Sequence, residues 1–198
     1  MEDLYKTIET AAEGLYKEKG SRFIALAYPV YTEEEIKSIL AGVKTKYYDA
    51  RHHCYAYCLG ADKKRFRAND DGEPSSTAGK PILGQILSAG LTNILIVVVR
   101  YFGGIKLGVS GLIHAYKAAA ADAILQARII EKTEDRLLRI RFSYMVMNEV
   151  MKVIKEEEPE VLNREFEWEC RMTLSIRQKS CPQLMARLET IDSLIFED

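Results

Sequence analysis

The residues best suited to chemistry follow a run of six apolar residues, 94–99, that predicts a buried strand. Positive charge comes from Arg100 and Lys106. Two aromatic residues and four glycines complete the segment: Tyr101, Phe102, Gly103, Gly104, Gly108 and Gly111. A helical pattern follows, so the glycines lie in a turn that opens a helix, where free backbone N–H groups can bind an anion. The segment therefore predicts an anion site; the alternative is that the glycines only allow a close chain crossing.

Neither of the common nucleotide-binding motifs fits this glycine turn. Gly103 and Gly108 have the spacing of a Walker A loop, but Val109 stands where that motif needs lysine. The dinucleotide motif G-x-G-x-x-G also fails, because Gly103 and Gly104 are adjacent. The prediction is therefore a general anion site without a nucleotide signature.

A second group of polar residues has the side chains of acid–base catalysis. Three carboxylates, Asp70, Asp71 and Glu73, follow each other closely, and His52 lies upstream. Carboxylates on a turn are also commonly solvated, or pair with a base such as Arg100. The sequence contains neither the G-x-S-x-G nor the H-E-x-x-H pattern. Catalysis and a purely organising role both remain open.

Basic residues cluster in the same half of the chain: Lys44, Lys46, Arg51, Lys63, Lys64, Arg65 and Arg67. Between them, His53, Tyr55 and Tyr57 share one face of a predicted strand. These rings could stack on bases beside phosphate-binding cations. Alternatively, a helix covers them and the opposite Cys/Ala face is exposed.

Composition restricts the class of protein. With 198 residues, 47% apolar and 29% charged, the chain is expected to fold as one or two globular domains. Its net charge of −1 divides into +3 for residues 1–130 and −4 for 131–198. No apolar run approaches the roughly 20 residues of a membrane span, and the start lacks a signal-peptide pattern, so we expect a cytoplasmic protein without a membrane partner. The four cysteines fit no paired zinc spacing, and we expect neither metal nor cofactor.

Hydrophobic periodicity predicts two domains with a boundary at residue 130. In residues 1–130 it predicts a hairpin of strands 4–17 and 22–30, a helix opened by a Thr32/Glu35 capping box, a strand at 51–60, a long loop at 61–79, a helix from Lys80, a strand at 94–101 and a helix at 110–127. In residues 131–198 it predicts strands at 136–143, 160–166, 168–178 and 193–196, with helices at 145–157 and after a Ser180/Gln183 capping box. That βαββαβ order is typical of a ferredoxin-like fold.

Three blocks of sequence resemble the IMPACT/YigZ family: DARHHCYAYCLG at 49–60, NDDGEPSSTAGKPIL at 69–83 and VVVRYFGGIKLGVSGLIHAY at 97–116. The resemblance implies an α+β fold. Residues 15–128 are expected to resemble the second domain of small-subunit ribosomal protein five, a four-stranded sheet with a left-handed βαβ crossover. The C-terminal domain is expected to be ferredoxin-like and to resemble the last domain of elongation factor G.

The family signature covers the residues already singled out: His52, Asp71, Gly72, Glu73, Pro74, Thr77, Gly79, Arg100, Phe102, Gly103, Gly104, Lys106 and Gly108. Ser76 departs from it, standing where glycine is frequent. The family brings no catalytic residues to carry over. Its eukaryotic IMPACT members are translational regulators that act through a further N-terminal domain for which this sequence has no counterpart.

These patterns together predict a non-enzymatic, translation-related factor. It is predicted to bind RNA or the ribosome through a basic glycine-rich surface formed by loops 61–80 and 100–108, with translation-related proteins as further candidate partners. The predicted contacts are Arg51, His52, Lys63, Lys64, Arg65, Arg67, Asp71, Glu73, Thr77, Arg100, Tyr101, Phe102, Gly103, Gly104, Lys106 and Gly108. One alternative is an enzyme or binding protein for a small phosphorylated ligand, with His52, Asp71 and Glu73 as acid–base groups. Another is a protein-interaction module centred on Tyr101 and Phe102.

Overall fold

The computed structural model describes residues 3–197, which divide into two compact units. One unit is formed by residues 5–132; the other contains residues 133–197 together with residues 3 and 4. The division thus falls two residues after the boundary predicted at residue 130. No helix in this part of the chain is long and apolar enough to cross a membrane.

Most of the elements of the larger unit surround a five-stranded sheet. In chain order they are β1 (Leu4–Ile8), β2 (Ala12–Glu18), β3 (Ser21–Pro29), α1 (Glu33–Lys46), β4 (His52–Leu59), β5 (Arg65–Asn69), α2 (Gly79–Ser88), β6 (Ile94–Tyr101), α3 (Gly108–Gln126) and β7 (Ile129–Thr133). The sheet order is β2-β3-β6-β4-β5, with antiparallel neighbours throughout. Because β3 and β4 both pair with β6, they run parallel to each other, and α1 makes the crossover between them.

The prediction of one strand over residues 4–17 is wrong. β1 and β2 are separate, and β1 pairs with β7 in a two-stranded sheet of its own. Strand β1 ends just before Glu9. The Glu9 N–H donates to the Arg128 carbonyl at 2.9 Å, and the Glu9 carboxylate pairs with the Arg128 guanidinium at 3.0 Å. A contact to a residue so distant in sequence leaves no local signal.

Both faces of the central sheet are covered, which removes the predicted stacking platform. Helices α2 and α3 pack on the face that carries Cys54, Ala56 and Cys58, and all three residues are fully buried. Helix α1 packs on the other face, against Tyr55 and Tyr57. The aromatic residues of β4 therefore belong to the core, and the Cys/Ala face is buried as well.

The predicted loop at 61–79 contains the edge strand β5. Its first three residues, 65–67, are exposed and two of them are arginines, and the strand pairs with β4 alone, so no apolar alternation predicts it. After β5 the chain folds around the Asp70 carboxylate, which accepts backbone N–H groups from Ser76, Ala78 and Gly79 at 2.8–3.1 Å. Burial acts to raise the pKa of Asp70, but these hydrogen bonds outweigh it and the pKa lies below its ordinary value. Asp70 thus caps α2 and is not a catalytic acid.

Asp70→Ala is expected to destabilise the protein by about 1–2 kcal/mol at pH 7, because the N–H groups of Ser76, Ala78 and Gly79 before and at the start of α2 lose their acceptor. Since the pKa of Asp70 is lowered in the folded state, its contribution is present above the ordinary value of 3.8 and is lost as the pH falls through the folded-state pKa. Urea unfolding between pH 2 and pH 7 measures this. A stability difference between wild type and variant that stays constant down to the acid end would contradict the assignment.

The smaller unit is ferredoxin-like, as predicted. Its elements are β8 (Asp135–Phe142), a short 3-10 helix (Tyr144–Val146), α4 (Met147–Glu157), β9 (Glu160–Phe166), β10 (Cys170–Arg177), α5 (Cys181–Leu188) and β11 (Ile195–Glu197), with sheet order β11-β8-β10-β9. The predicted Ser180/Gln183 capping box is wrong. Ser180 makes no side-chain cap, and the Gln183 amide donates to the Glu157 carboxylate at 3.0–3.1 Å instead.

Candidate functional site: a cationic cleft at the ends of β4 and β6

A cleft of about 830 Å³ opens where β4 begins and β6 ends. The sheet register places His52 opposite Arg100. The turn before α2 and the segment that leads into α3 complete the walls. Eight of the predicted site residues line this cleft: Arg51, His52, Glu73, Arg100, Tyr101, Phe102, Lys106 and Gly108.

Arg100 and Glu73 form a buried ion pair at the wall of the cleft. The Arg100 Nη1 atom lies 2.5 Å from Glu73 Oε1, and the two side chains are 9% and 3% exposed. The Tyr116 hydroxyl donates to the same carboxylate oxygen at 2.7 Å. Arg100 also lies over the rings of Phe23 and Phe102, 5.5 and 5.7 Å from their centroids. These contacts fix the guanidinium beside the cleft and engage the Glu73 carboxylate.

The Nε atom of Arg100 is buried and has no hydrogen-bond partner within residues 3–197. A buried donor without an acceptor costs about 1–3 kcal/mol. The buried guanidinium therefore carries this cost alongside its ion pair with Glu73.

Cys54 and Tyr116 extend the buried network away from the cleft. The Cys54 thiol donates to the Asp70 carbonyl at 3.0 Å and lies 3.3 Å from the Tyr116 hydroxyl. Burial raises the pKa of Cys54 to about 12 and also raises the pKa of Tyr116. Both groups keep their protons at neutral pH and serve as donors. Sequence reasoning missed this network, because Tyr116 lies on the apolar face of a helix and its partners are 43 and 62 residues away.

A hydrogen bond between the His52 ring and the Asp71 backbone joins the start of β4 to the turn before α2. The Nδ1 atom of His52 lies 2.9 Å from the Asp71 carbonyl oxygen, so Nδ1 carries the proton and Nε2 is left as an acceptor. The Asp71 carboxylate accepts the His53 N–H at 2.7 Å and lies 3.7 Å from Lys44 Nζ. Asp71 thus braces the first residues of β4, and its carboxylate points to backbone and lysine.

Thr77 has a structural place in the same turn. It is almost fully buried, and its hydroxyl donates to the Pro74 carbonyl at 2.6 Å. This bond holds the turn that presents Glu73 and Pro74 to the cleft.

The structure separates the basic cluster of residues 63–67 from the cleft. Lys63 donates to the Gly90 carbonyl at 2.8 Å, and Lys64 pairs with Asp62 at 3.7 Å. These residues follow the last residue of β4, whereas the cleft lies at its first residue; the strand of eight residues spans about 23 Å. The predicted contacts Lys63, Lys64, Arg65 and Arg67 therefore lie near one end of β4, and Arg51 and Arg100 lie at the other.

The two interpretations of the glycine turn apply to different glycines. A Cβ atom on Gly103 would lie 2.0 Å from the Gly20 carbonyl carbon, so this glycine permits a chain crossing. Gly104 and Gly108 have φ of +91° and +74° with open space around them. Gly108 lines the cleft and begins α3, whose N-terminus has no side-chain cap and no acidic residue in its first turn. The free N–H groups at such a helix start can donate hydrogen bonds to an anion.

Gly103→Ala is expected to destabilise the protein by more than about 2 kcal/mol, because the crossing backbones must separate. Gly42→Ala is the matched control: it lies within α1, nothing approaches its Cβ position within 4 Å, and the change is expected to stabilise by about 0.5–1 kcal/mol. Thermal and urea unfolding measure both. Equal effects of the two substitutions would show that the crossing is not close in solution.

Removing either member of the buried ion pair leaves the other charge or acceptor without its partner. Glu73→Gln and Arg100→Met are each expected to cost about 3–5 kcal/mol of unfolding free energy. The double variant is expected to lose at least about 1 kcal/mol less than the sum of the single losses, because the two residues contact each other. A double-mutant cycle in urea measures the coupling, and strictly additive losses would contradict the pairing.

Comparison with known proteins identifies the family of this chain. The Impact N-terminal domain model matches residues 19–124. The chain is 34% identical over 154 residues to the IMPACT family member YvyE of Bacillus subtilis (strain 168), covering 78% of this chain and 71% of that protein. This chain belongs to the IMPACT family.

A second relative of the same family and a solved structure also match this chain. The IMPACT family member YigZ of Escherichia coli (strain K12) is 34% identical over 151 residues, covering 75% of this chain and 74% of YigZ. The crystal structure of a hypothetical protein that is 28% identical matches with a TM-score of 0.75, covering 99% of this chain and 97% of that one. The family and the α+β fold predicted from the sequence are therefore confirmed.

Proposed function

We propose that this IMPACT-family chain is a non-enzymatic accessory factor of translation that binds RNA in the cationic cleft. The link to translation is supported by the family, whose eukaryotic IMPACT members are translational regulators. The RNA contact is supported by the arrangement of charge, helix end and aromatic ring around the cleft.

The observation that carries the proposal is the grouping of three cations beside an uncapped helix. Arg51, Arg100 and Lys106 line the cleft with the start of α3. Arg51 and Lys106 make no ion pair within the described residues 3–197. They are therefore available to phosphates, and the first N–H groups of α3 add further donors.

Phe102 gives the cleft a surface for a base. Its ring is 56% exposed, and Arg100 lies on it. Stacking on an aromatic ring stabilises a single-stranded base by about 1–3 kcal/mol without reading its identity. A phosphate near Lys106 with its base on Phe102 is a binding mode that fits single-stranded RNA.

The hydrogen bonds favour binding over catalysis. Of the predicted acid–base residues, Glu73 is engaged by Arg100 and Tyr116, and Asp71 by backbone and lysine. His52 keeps one acceptor nitrogen in the cleft wall. A single acceptor without a second positioned carboxylate is a weak basis for acid–base chemistry.

A small phosphorylated ligand is the second candidate. The cleft volume of about 830 Å³ falls in the range of small-molecule sites. The same cations and the same helix end would hold its phosphate group.

We expect a labelled single-stranded RNA of about 12 nucleotides to bind, as measured by fluorescence anisotropy at several salt concentrations. Lys106→Ala and Arg51→Ala each remove one phosphate contact, so each is expected to weaken binding and to reduce the slope of log K against log salt by about 0.7. Lys64→Ala is the control, since it removes the same charge about 23 Å away at the other end of β4.

Absence of binding at low salt would sink the proposal, and an equal effect of Lys64→Ala would place the contact outside the cleft. Displacement of the RNA by an equimolar mononucleotide would favour the small ligand over RNA.

A further inference from the structure

The turn between β9 and β10 presents exposed apolar side chains to solvent. Trp168 is 97% exposed and Phe166 is 47% exposed. Met145 of the adjacent 3-10 helix is 92% exposed, and the hydroxyl of its neighbour Tyr144 donates to the Glu167 carbonyl at 3.1 Å. These four side chains, Tyr144, Met145, Phe166 and Trp168, form the aromatic tip of the smaller unit. An exposed apolar patch of this kind marks an interaction surface.

The tip is held in place before any partner arrives. The Glu167 N–H donates to the Glu169 carbonyl at 3.3 Å and closes the turn. The Glu169 carboxylate accepts two bonds from Arg141 at 2.7 and 2.8 Å. A braced turn loses little conformational entropy on binding, so its aromatic residue is well suited to act as an anchor.

The charge around the tip restricts its partner. Glu165, Glu167 and Glu169 alternate with Phe166 and Trp168 along the chain. Glu169 is paired with Arg141, but Glu165 and Glu167 make no ion pair within residues 3–197. These two carboxylates repel the phosphates of nucleic acids and the anionic headgroups of membranes. The complementary surface is an apolar pocket bordered by cations on a protein.

The cationic cleft of this chain has that chemistry. Its walls include Phe102, Leu107 and Val109, and its cations include Arg51 and Lys106. Its volume of about 830 Å³ exceeds that of an indole side chain several-fold. We propose that the aromatic tip of one copy docks in the cationic cleft of a second copy, with Trp168 in the pocket and Glu167 beside Lys106.

The contact joins two different surfaces, so each molecule contributes one aromatic tip and one cleft. Two copies that exchange tips form a closed dimer, and copies that do not close form longer assemblies. The interface contains one anchor and a few charges, which places it at the small, transient end of protein interfaces. The proposal does not rest on RNA binding, and its test contains no RNA, so the two stand or fall separately.

Trp168 is the only tryptophan of the chain and reports its own burial. We expect its fluorescence to shift to shorter wavelength as protein concentration rises from about 1 µM to 1 mM, the range in which weak association saturates. Sedimentation velocity over the same range is expected to show dimers or larger species. Trp168→Ala is expected to keep the protein monomeric, while Leu125→Ala, which removes another highly exposed apolar side chain, is expected to leave association unchanged.

A charge exchange tests which surfaces meet. Glu167→Lys and Lys106→Glu are each expected to weaken self-association at least about tenfold, and an equimolar mixture of the two variants is expected to associate more tightly than either alone. Circular dichroism of each variant checks that it is folded. A wild-type protein that stays monomeric with unchanged emission up to about 1 mM overturns the proposal. Association that Trp168→Ala leaves intact, or a mixture no tighter than its components, overturns it as well.

Discussion

The cleft depends on one buried ion pair, between Arg100 at the end of β6 and Glu73 in the turn before α2. A charge in a nearly dry site is strongly destabilising alone, so each partner requires the other. The Tyr116 hydroxyl satisfies the remaining capacity of the carboxylate, and thereby adds α3 to the same cluster. A strand end, a turn and a helix are thus joined at one point. The loop of residues 102–107 is attached at both ends to elements that this cluster fixes.

The carboxylates near that pair have different structural partners. Asp70 and Asp71 are adjacent, yet one carboxylate caps α2 and the other braces the first residues of β4. The turn between them and Glu73 can therefore be rich in carboxylates without forming an acidic cavity. A motif that resembles acid–base machinery therefore contributes little negative charge to the cleft. The remaining carboxylate of the lining, Asp49, accepts a hydrogen bond from the Tyr101 hydroxyl at 2.8 Å.

The sequence was most informative where the determining interactions are local. The Thr32/Glu35 capping box is present with both of its hydrogen bonds, and the βαββαβ order of the smaller unit was read from periodicity and breakers. Edge strand β5 was missed, because a charged strand that pairs on one side resembles a loop. The Cys54–Tyr116–Glu73 network was missed for a different reason: its members are separated by 19–62 residues, and buried hydrogen bonds over such distances leave no periodic trace. Residues of the glycine-rich segment line one cleft together with Arg51, His52 and Glu73, and their role in binding stays a prediction. The basic cluster was predicted to lie on the same surface because sequence proximity does not show which end of β4 a residue occupies.

The order of strands in the central sheet has a consequence for synthesis of the chain. Strand β6 lies between β3 and β4, although both precede it in sequence. Until residues 94–101 have been made, the β2–β3 and β4–β5 hairpins have no shared edge, and each presents an unpaired apolar strand. The strand that joins the two hairpins by pairing on both sides is therefore the last of the five to be synthesised. Arg100, the next-to-last residue of β6, pairs with Glu73, so the strand that joins the two hairpins also carries the cation on which the cleft depends.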